Sequence, residues 1–177
     1  DRDSKIQITN TVITKLFPSP KGDEVTFIGS TFINNGETVP YLNHCLVVGS
    51  CDDVHGVHIE SVATEKDMLL KWVDLIQTEN PDIIIGYNIF GFDYEFMFRR
   101  AEENQCEREF LLLSRIKNKL CASSTREDPN ILNIEHMTMK IASGEYDFRY
   151  VNTPGRLQID MYAYFRRDFN LSSYKLD

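Results

Sequence analysis

None of the four cysteines, Cys45, Cys51, Cys106 and Cys121, forms a Cys-x-x-Cys pair, and no companion pair of histidines stands at ligand spacing. A structural zinc site therefore has little support, and reduced, partly buried thiols are expected. His44, His55 and His58 lie close together but near the ends of apparent strands, in no ordered ligand pattern. Positive charge is in deficit: 19 Lys and Arg against 27 Asp and Glu leave a net charge of −8. That balance argues against a domain that coats nucleic acid, because phosphate binding relies on Lys and Arg. It does not exclude an enzyme that grips a few phosphates through metal ions, whose site needs local acidity. The chain has no run of about 18 apolar residues to span a bilayer, and no charged-then-apolar leader. A soluble, intracellular protein without membrane partners is expected. There is no internal repeat and no low-complexity segment. The first residue is not Met and the last, Asp177, falls in mid-pattern, so the chain is expected to be a piece of something longer.

With 177 residues, 42% apolar and 26% charged, the chain can bury one full core, and one domain is expected. Ile83, Ile84 and Ile85 form an unalternating β-branched block between Pro81 and Gly86, which predicts a strand buried on both faces, as in a sheet covered by helices. Such sheets carry ligands at the carboxyl ends of their strands. Beyond the glycine, Tyr94, Met97, Phe98 and Ala101 fall at i, i+3, i+4 and i+7, so a helix with one apolar face begins close to Asp93. Asp93 thus sits at a strand-to-helix junction. It can cap the helix and complement its dipole. Alternatively it is a functional acid flanked by Asn88, whose amide can bond a sugar or phosphate, and by Phe92, whose ring can wedge against a base.

Elsewhere, Val25–Ile28 and Thr31–Ile33 predict a strand that turns at Asn34-Asn35-Gly36 and pairs antiparallel with 45–49. Thr64 caps a predicted helix with Leu69, Trp72, Val73 and Ile76 on its apolar face, stopped by Asn80-Pro81. A further helix is expected over 107–120, with Phe110, Leu111, Leu113 and Ile116 as apolar surface. Met137, Met139 and Ile141 face Tyr146, Phe148 and Tyr150 across Ser143-Gly144, a hairpin pattern. Leu157-Gln158-Ile159 makes a short strand into Asp160, and Met161 to Phe169 continues as a helix with Tyr162, Phe165 and Phe169 inward. Asp160 is read first as the cap of that helix. Arg99, Arg100, Arg115, Lys117, Lys119, Arg166 and Arg167 are candidate phosphate contacts, though most read as a solvated helix face. Glu135 and His136 read as surface residues. The elements together predict an α/β domain, a mixed sheet with helices on both sides.

The segment Gly86-Tyr87-Asn88-Ile89-Phe90-Gly91-Phe92-Asp93 resembles the second exonuclease motif of family B DNA polymerases, the delta-type replicative enzymes and their relatives in large DNA viruses. Further segments are similar to that domain in the same order, among them Phe17-Pro18-Ser19-Pro20, Ile28-Gly29-Ser30-Thr31-Phe32, Tyr41-Leu42-Asn43-His44-Cys45, Gly49-Ser50-Cys51-Asp52, Glu65 to Trp72, Gly155 to Asp160 and Tyr174-Lys175-Leu176. The resemblance implies a ribonuclease H-like 3′-to-5′ exonuclease domain with an inserted β-hairpin, the hairpin helping to part primer from template. It implies proofreading by two-metal hydrolysis with Mg2+, the chemistry of an in-line displacement between paired ions. Asp93 is implied as catalytic and metal-binding, and Asn88 and Phe92 as substrate-binding. The implied partners are a primer-template and its single-stranded 3′ end, the remaining polymerase domains and a sliding clamp, acting in a nucleus or at a viral replication site.

The family also carries an Asp-x-Glu first motif and a third motif with an Asp and a Tyr. Neither is recognisable here. Asp93-Tyr94-Glu95 matches Asp-x-Glu literally, yet it follows Asn88 and Phe92 and opens a helix instead of closing a strand. Residues 1–16 therefore read as a poorly matched extended loop after a missing first motif, and 17–177 as a partial exonuclease domain, inactive by itself. The alternatives are a degenerate exonuclease-like module that serves as a structural or DNA-guiding element, and a free-standing exonuclease of the same fold.

Overall fold

The computed structural model describes residues 19, 21–123, 131–141 and 144–175. The expectations that fall on residues 1–16, 17–18, 20, 142–143 and 176–177 lie outside the described residues. Strand β1 (Phe27–Phe32) runs antiparallel to β2 (Leu42–Val48), with Phe27 opposite Val47 and Phe32 opposite Leu42. On the far side of β2 lies a parallel strand β3 (His58–Val62). Its apolar residues, Ile59 and Val62, are three apart, which breaks the alternation by which a strand is recognised in sequence.

Helix α1 (Glu65–Glu79) starts where Thr64 Oγ1 accepts the Asp67 N–H at 3.1 Å and ends at Asn80, whose φ of 48° is left-handed. It buries Met68, Leu69, Trp72, Val73 and Ile76. Strand β4 (Ile83–Gly86) follows and pairs in parallel with β7 (Leu157–Asp160), Ile83 opposite Leu157 and Gly86 opposite Asp160. A π-type turn, Ile89–Asp93, runs into α2 (Tyr94–Glu103), which buries Tyr94, Phe98 and Ala101. A single turn, α3 (Glu107–Phe110), comes next. The hairpin of β5 (Glu135–Ile141) and β6 (Gly144–Tyr150) sets Met137 opposite Phe148 and Met139 opposite Tyr146. Helix α4 (Met161–Asp168) closes the order. Trp72 stacks on Phe110 with ring centroids 6.1 Å apart, and the core continues through Leu46, Phe98, Leu111, Leu113 and Val151. No helix among the described residues is long and apolar enough to cross a membrane.

Four expectations change. First, the isoleucine strand is not buried on both faces: Ile83 and Ile85 are 47% and 60% exposed. Among the described residues β4 has β7 as its sole strand partner, and a cavity of about 690 Å3 separates it from β1. Second, among the described residues the strands form not one mixed sheet but three groups, β1-β2-β3, β4-β7 and β5-β6. Third, the helix expected over 107–120 stops at Phe110: the Leu111 and Leu112 N–H groups still bond Glu107 O and Glu109 O, but farther on the Arg115 N–H bonds Pro154 O and the Ile116 N–H bonds Ser114 Oγ. Its apolar residues Leu111 and Leu113 are buried all the same, whereas Ile116 is exposed. Fourth, Phe169 is exposed beyond the end of α4.

A buried ion pair ties the segment leading into β1 and the two long helices together. Glu65 and Arg100 are each 5% exposed, and the Glu65 carboxylate accepts from Arg100 Nε at 2.8 Å and Nη2 at 2.7 Å, from Asn104 Nδ2 at 2.7 Å and from the Val25 N–H at 2.7 Å. Arg100 is therefore an internal strut, neither a solvated cation nor a phosphate contact. Arg99 pairs with Glu95 and Glu102, and Arg115 with Asp82 at 2.7 Å. The cysteines are free thiols, with Cys106 and Cys121 buried; burial pushes the Cys106 thiol up to about 11.

Candidate active site

The turn after β4 is compact enough that its two glycines have no room for side chains. A Cβ on Gly86 would stand 2.3 Å from Ile89 Cγ2, and one on Gly91 would stand 2.3 Å from Asn88 Oδ1. Asn88 itself takes a left-handed φ of 62°, a conformation that asparagine tolerates better than most residues. The candidate Asn88 amide is thus laid across Gly91 by local backbone geometry.

Asp160 holds this turn in place. Register puts it opposite Gly86, and its carboxylate accepts the Asn88 N–H at 2.8 Å, the Phe90 N–H at 2.9 Å and the Tyr162 N–H at 2.9 Å. The helix-cap role expected for Asp160 is present, through Tyr162. The bonds to Asn88 and Phe90 join residues 72 and 70 apart in sequence, so sequence spacing contains no trace of them. At 5% exposure and with three N–H donors satisfied, this carboxylate is committed to the framework.

Asp93 is placed differently. Its backbone is already helical, with φ −63° and ψ −44°, and its side chain makes no capping hydrogen bond. The reason is that the π-type turn runs directly into α2, with the Tyr94 N–H bonded to Ile89 O, so Asp93 lies inside the coil and not across its mouth. The capping alternative for Asp93 therefore fails. Burial pushes the Asp93 carboxyl above the usual carboxylate range, its own backbone N–H partly opposes that shift, and the nearby Asp160 charge adds to it. A half-buried carboxylate with little compensation is the state in which a cation or a proton binds most favourably.

Phe92 and Asp93 line the same cavity between β1 and β4. Phe92 also stacks on Phe96 at 5.2 Å. Asn88 is held to them through the turn but does not line that cavity. The literal Asp-x-Glu partner, Glu95, is paired with Arg149 of β6 and with Arg99 at 3.6 Å. This ion pair fastens the hairpin to α2, and Phe90 fastens it to the preceding turn, meeting Tyr150 at 5.4 Å and Phe148 edge-on at 6.3 Å. Glu135 and His136, read as surface residues, bond Ser123 Oγ at 3.1 Å and face Asp147 at 3.4 Å. His44 is buried beside His58 and 3.4 Å from Glu60. Among the described residues no group of three or more His, Cys, Asp or Glu stands ready to hold a metal ion.

The family described as "DNA polymerase family B, exonuclease domain" matches residues 6–177. A DNA polymerase of Phaeocystis pouchetii virus is 38% identical, with 100% of this chain and 18% of that protein covered. A DNA polymerase of Pyramimonas orientalis virus is 34% identical over 94% of the chain and 13% of its own length. The DNA polymerase delta catalytic subunit of Oryza sativa subsp. japonica is 35% identical over 91% of the chain and 14% of its own length. The chain thus spans less than a fifth of the curated relatives it matches.

Proposed function

Because the chain belongs to the exonuclease domains of family B DNA polymerases, we propose that it is the proofreading part of a replicative polymerase, removing 3′-terminal nucleotides by phosphodiester hydrolysis. The observation that carries this reading is Asp93: a half-buried carboxylate free of any cap, just beyond a parallel strand and on a cavity wall with Phe92. We assign Asp93 the catalytic and metal-binding role. Phe92 and Asn88 take the substrate, since a phenyl ring and an amide offer neither a general base nor an anionic metal ligand. The order of strands and helices agrees with a ribonuclease H-like domain carrying an inserted hairpin.

Paired Mg2+ ions, where bound, would stabilise both the attacking and the leaving oxygen. Hard cations of this kind need several oxygen ligands, and the described residues supply one suitable acid. They fit a single ligand of such a centre and not the centre itself, with Asp160 spent on three N–H donors and Glu95 on two arginines. The other acids are assigned to segments outside the described residues, with 17–177 as a partial domain and 1–16 as the stretch leading into it. What this chain contributes is a fixed acid, a ring beside it and a framework that holds the turn. The 3′ end of a primer-template is the substrate, the remaining polymerase domains are partners in the same protein, and a sliding clamp is a partner of the whole.

Two measurements test the reading. The isolated chain, highly purified and supplied with Mg2+, should not degrade a single-stranded oligonucleotide; degradation abolished by Asp93→Asn would refute the incomplete-centre argument. In the full-length protein, Asp93→Ala should lower exonuclease turnover by at least about 10², the scale of losing an important electrostatic group, with polymerisation nearly unchanged. Unaltered nuclease activity would remove Asp93 from the site.

A further inference from the structure

Between the hairpin and α4 lies a second cavity, of about 370 Å3, which shares Phe90 and Asp160 with the candidate site. That volume falls in the range of roughly 300–1,000 Å3 in which small-molecule sites occur. One wall is the apolar face of the hairpin, where Met137 and Met139 stand opposite Phe148 and Tyr146 and are 43% and 41% exposed. The other wall is α4, and its distinctive member is Arg166. The Arg166 guanidinium lies 4.8 Å from the Tyr146 ring, 5.5 Å from Tyr162 and 5.3 Å from Tyr174, so three rings hold it in place. Its Nη1 donates to Tyr162 Oη at 2.8 Å. A guanidinium carries five N–H donors, and among the described residues this is the hydrogen bond Arg166 makes. The neighbouring Arg167 is neutralised by Asp168, and the Asp160 carboxylate on the cavity wall is saturated by backbone N–H groups.

An apolar slot lined by thioethers and rings, next to a fixed cation with unspent planar donors, is complementary to one kind of occupant: a flat uncharged ring joined to an anion. A purely apolar protein segment would use the slot and strand the cation. An acidic peptide would use the cation and leave the methionines exposed. We propose that this cleft holds one unpaired nucleotide of single-stranded DNA, with the base against Met137 and Met139 and the phosphate on Arg166. The inference rests on the reading of the chain as an exonuclease domain, and it adds a nucleotide site apart from Asp93. Since Phe90 belongs both to the cleft wall and to the turn that carries Asp93, a strand seated here lies alongside the candidate site.

The test uses the full-length protein in chelator, which prevents hydrolysis, with single-stranded oligonucleotides carrying 2-aminopurine at successive positions. One position should show stacking-quenched fluorescence. Met139→Ser and Arg166→Met should each abolish that quench and weaken single-strand binding about tenfold, within the range of removing one stacked base. Met139 is half-exposed, so its variant keeps the fold even if Arg166→Met lowers the melting temperature. Wild-type quenching and affinity in Met139→Ser overturns the proposal. A benzoylphenylalanine at position 139 should crosslink to the oligonucleotide; a crosslink to a second copy or to another protein segment overturns it equally. Asp93→Asn separates the two readings. If it keeps full hydrolysis, Asp93 is not the catalytic acid while the cleft stands; lost quenching in the cleft variants with hydrolysis still dependent on Asp93 supports both.

Discussion

Replacing Glu65 with glutamine removes the negative charge that faces a guanidinium at 5% exposure while leaving the volume nearly unchanged. Breaking a buried pair from one side costs about 3–5 kcal/mol, because the remaining charge is left in a poorly solvating environment. Arg100 keeps a second partner, Glu103, at its Nη1, which places the expected loss near the lower end, about 3 kcal/mol. Against a total stability of roughly 5–15 kcal/mol for a domain, that is a large fraction. Urea unfolding at pH 7 should show a lower midpoint with an unchanged slope. The double replacement Glu65→Leu with Arg100→Met should recover most of the loss, because an apolar pair of similar volume needs no desolvated charge. The effect also has a pH signature. Burial alone would push the Glu65 carboxyl up, but hydrogen bonds from Arg100, the Val25 N–H and Asn104 outweigh it and hold it below the usual range. The folded state thus binds this proton less readily than the unfolded state. Its contribution is full above the ordinary carboxylate pKa and fades as pH falls through the depressed value. Glu65→Gln stability within about 0.5 kcal/mol of wild type at pH 7, or a deficit that grows on acidification, would refute this account.

Asp93→Asn should raise the melting temperature at neutral pH: its carboxyl is pushed up by burial, so the folded state favours the proton and loses stability as pH rises through the shifted value. Melts at pH 5 and pH 8 check this, and the gain should be larger at pH 8. Gly91→Ala should force the Asn88 amide aside at about 1–3 kcal/mol of overpacking, with loss of exonuclease activity in the full-length protein; an unaltered melting temperature and rate would reject the close approach. Phe92→Ala should weaken handling of single-stranded ends by roughly 1–3 kcal/mol if the ring stacks on a base. Single-turnover digestion of matched and mispaired primers separates this from packing against Phe96, which would instead give an unstable protein equally poor on every substrate.

Several elements were legible because their signals are local. The cap at Thr64, the face of Leu69, Trp72, Val73 and Ile76, and the face of Tyr94, Phe98 and Ala101 all follow from helical spacing. The hairpin followed from alternation, and its register sets Met137 against Phe148. The helix expected over 107–120 ended after one turn because apolar spacing records burial and not hydrogen bonding: Leu111 and Leu113 are buried from an irregular segment whose later donors, Arg115 and Ile116, go to Pro154 and Ser114.

Local spacing was enough for the α/β class and for the strand-to-helix position of Asp93, since both depend on residues within one or two turns of one another. The bonding of the acids was set by long-range packing. Parallel pairing of β4 with β7 brings Asp160 to the Asn88 turn and consumes it there, the hairpin consumes Glu95 through Arg149, and the helical backbone of Asp93 leaves its side chain uncapped. The exposure of Ile83 and Ile85 and the gathering of three tyrosines around Arg166 have the same origin. A residue's type states which bonds it can form, but which partner reaches it first is set by pairings between segments tens of residues apart.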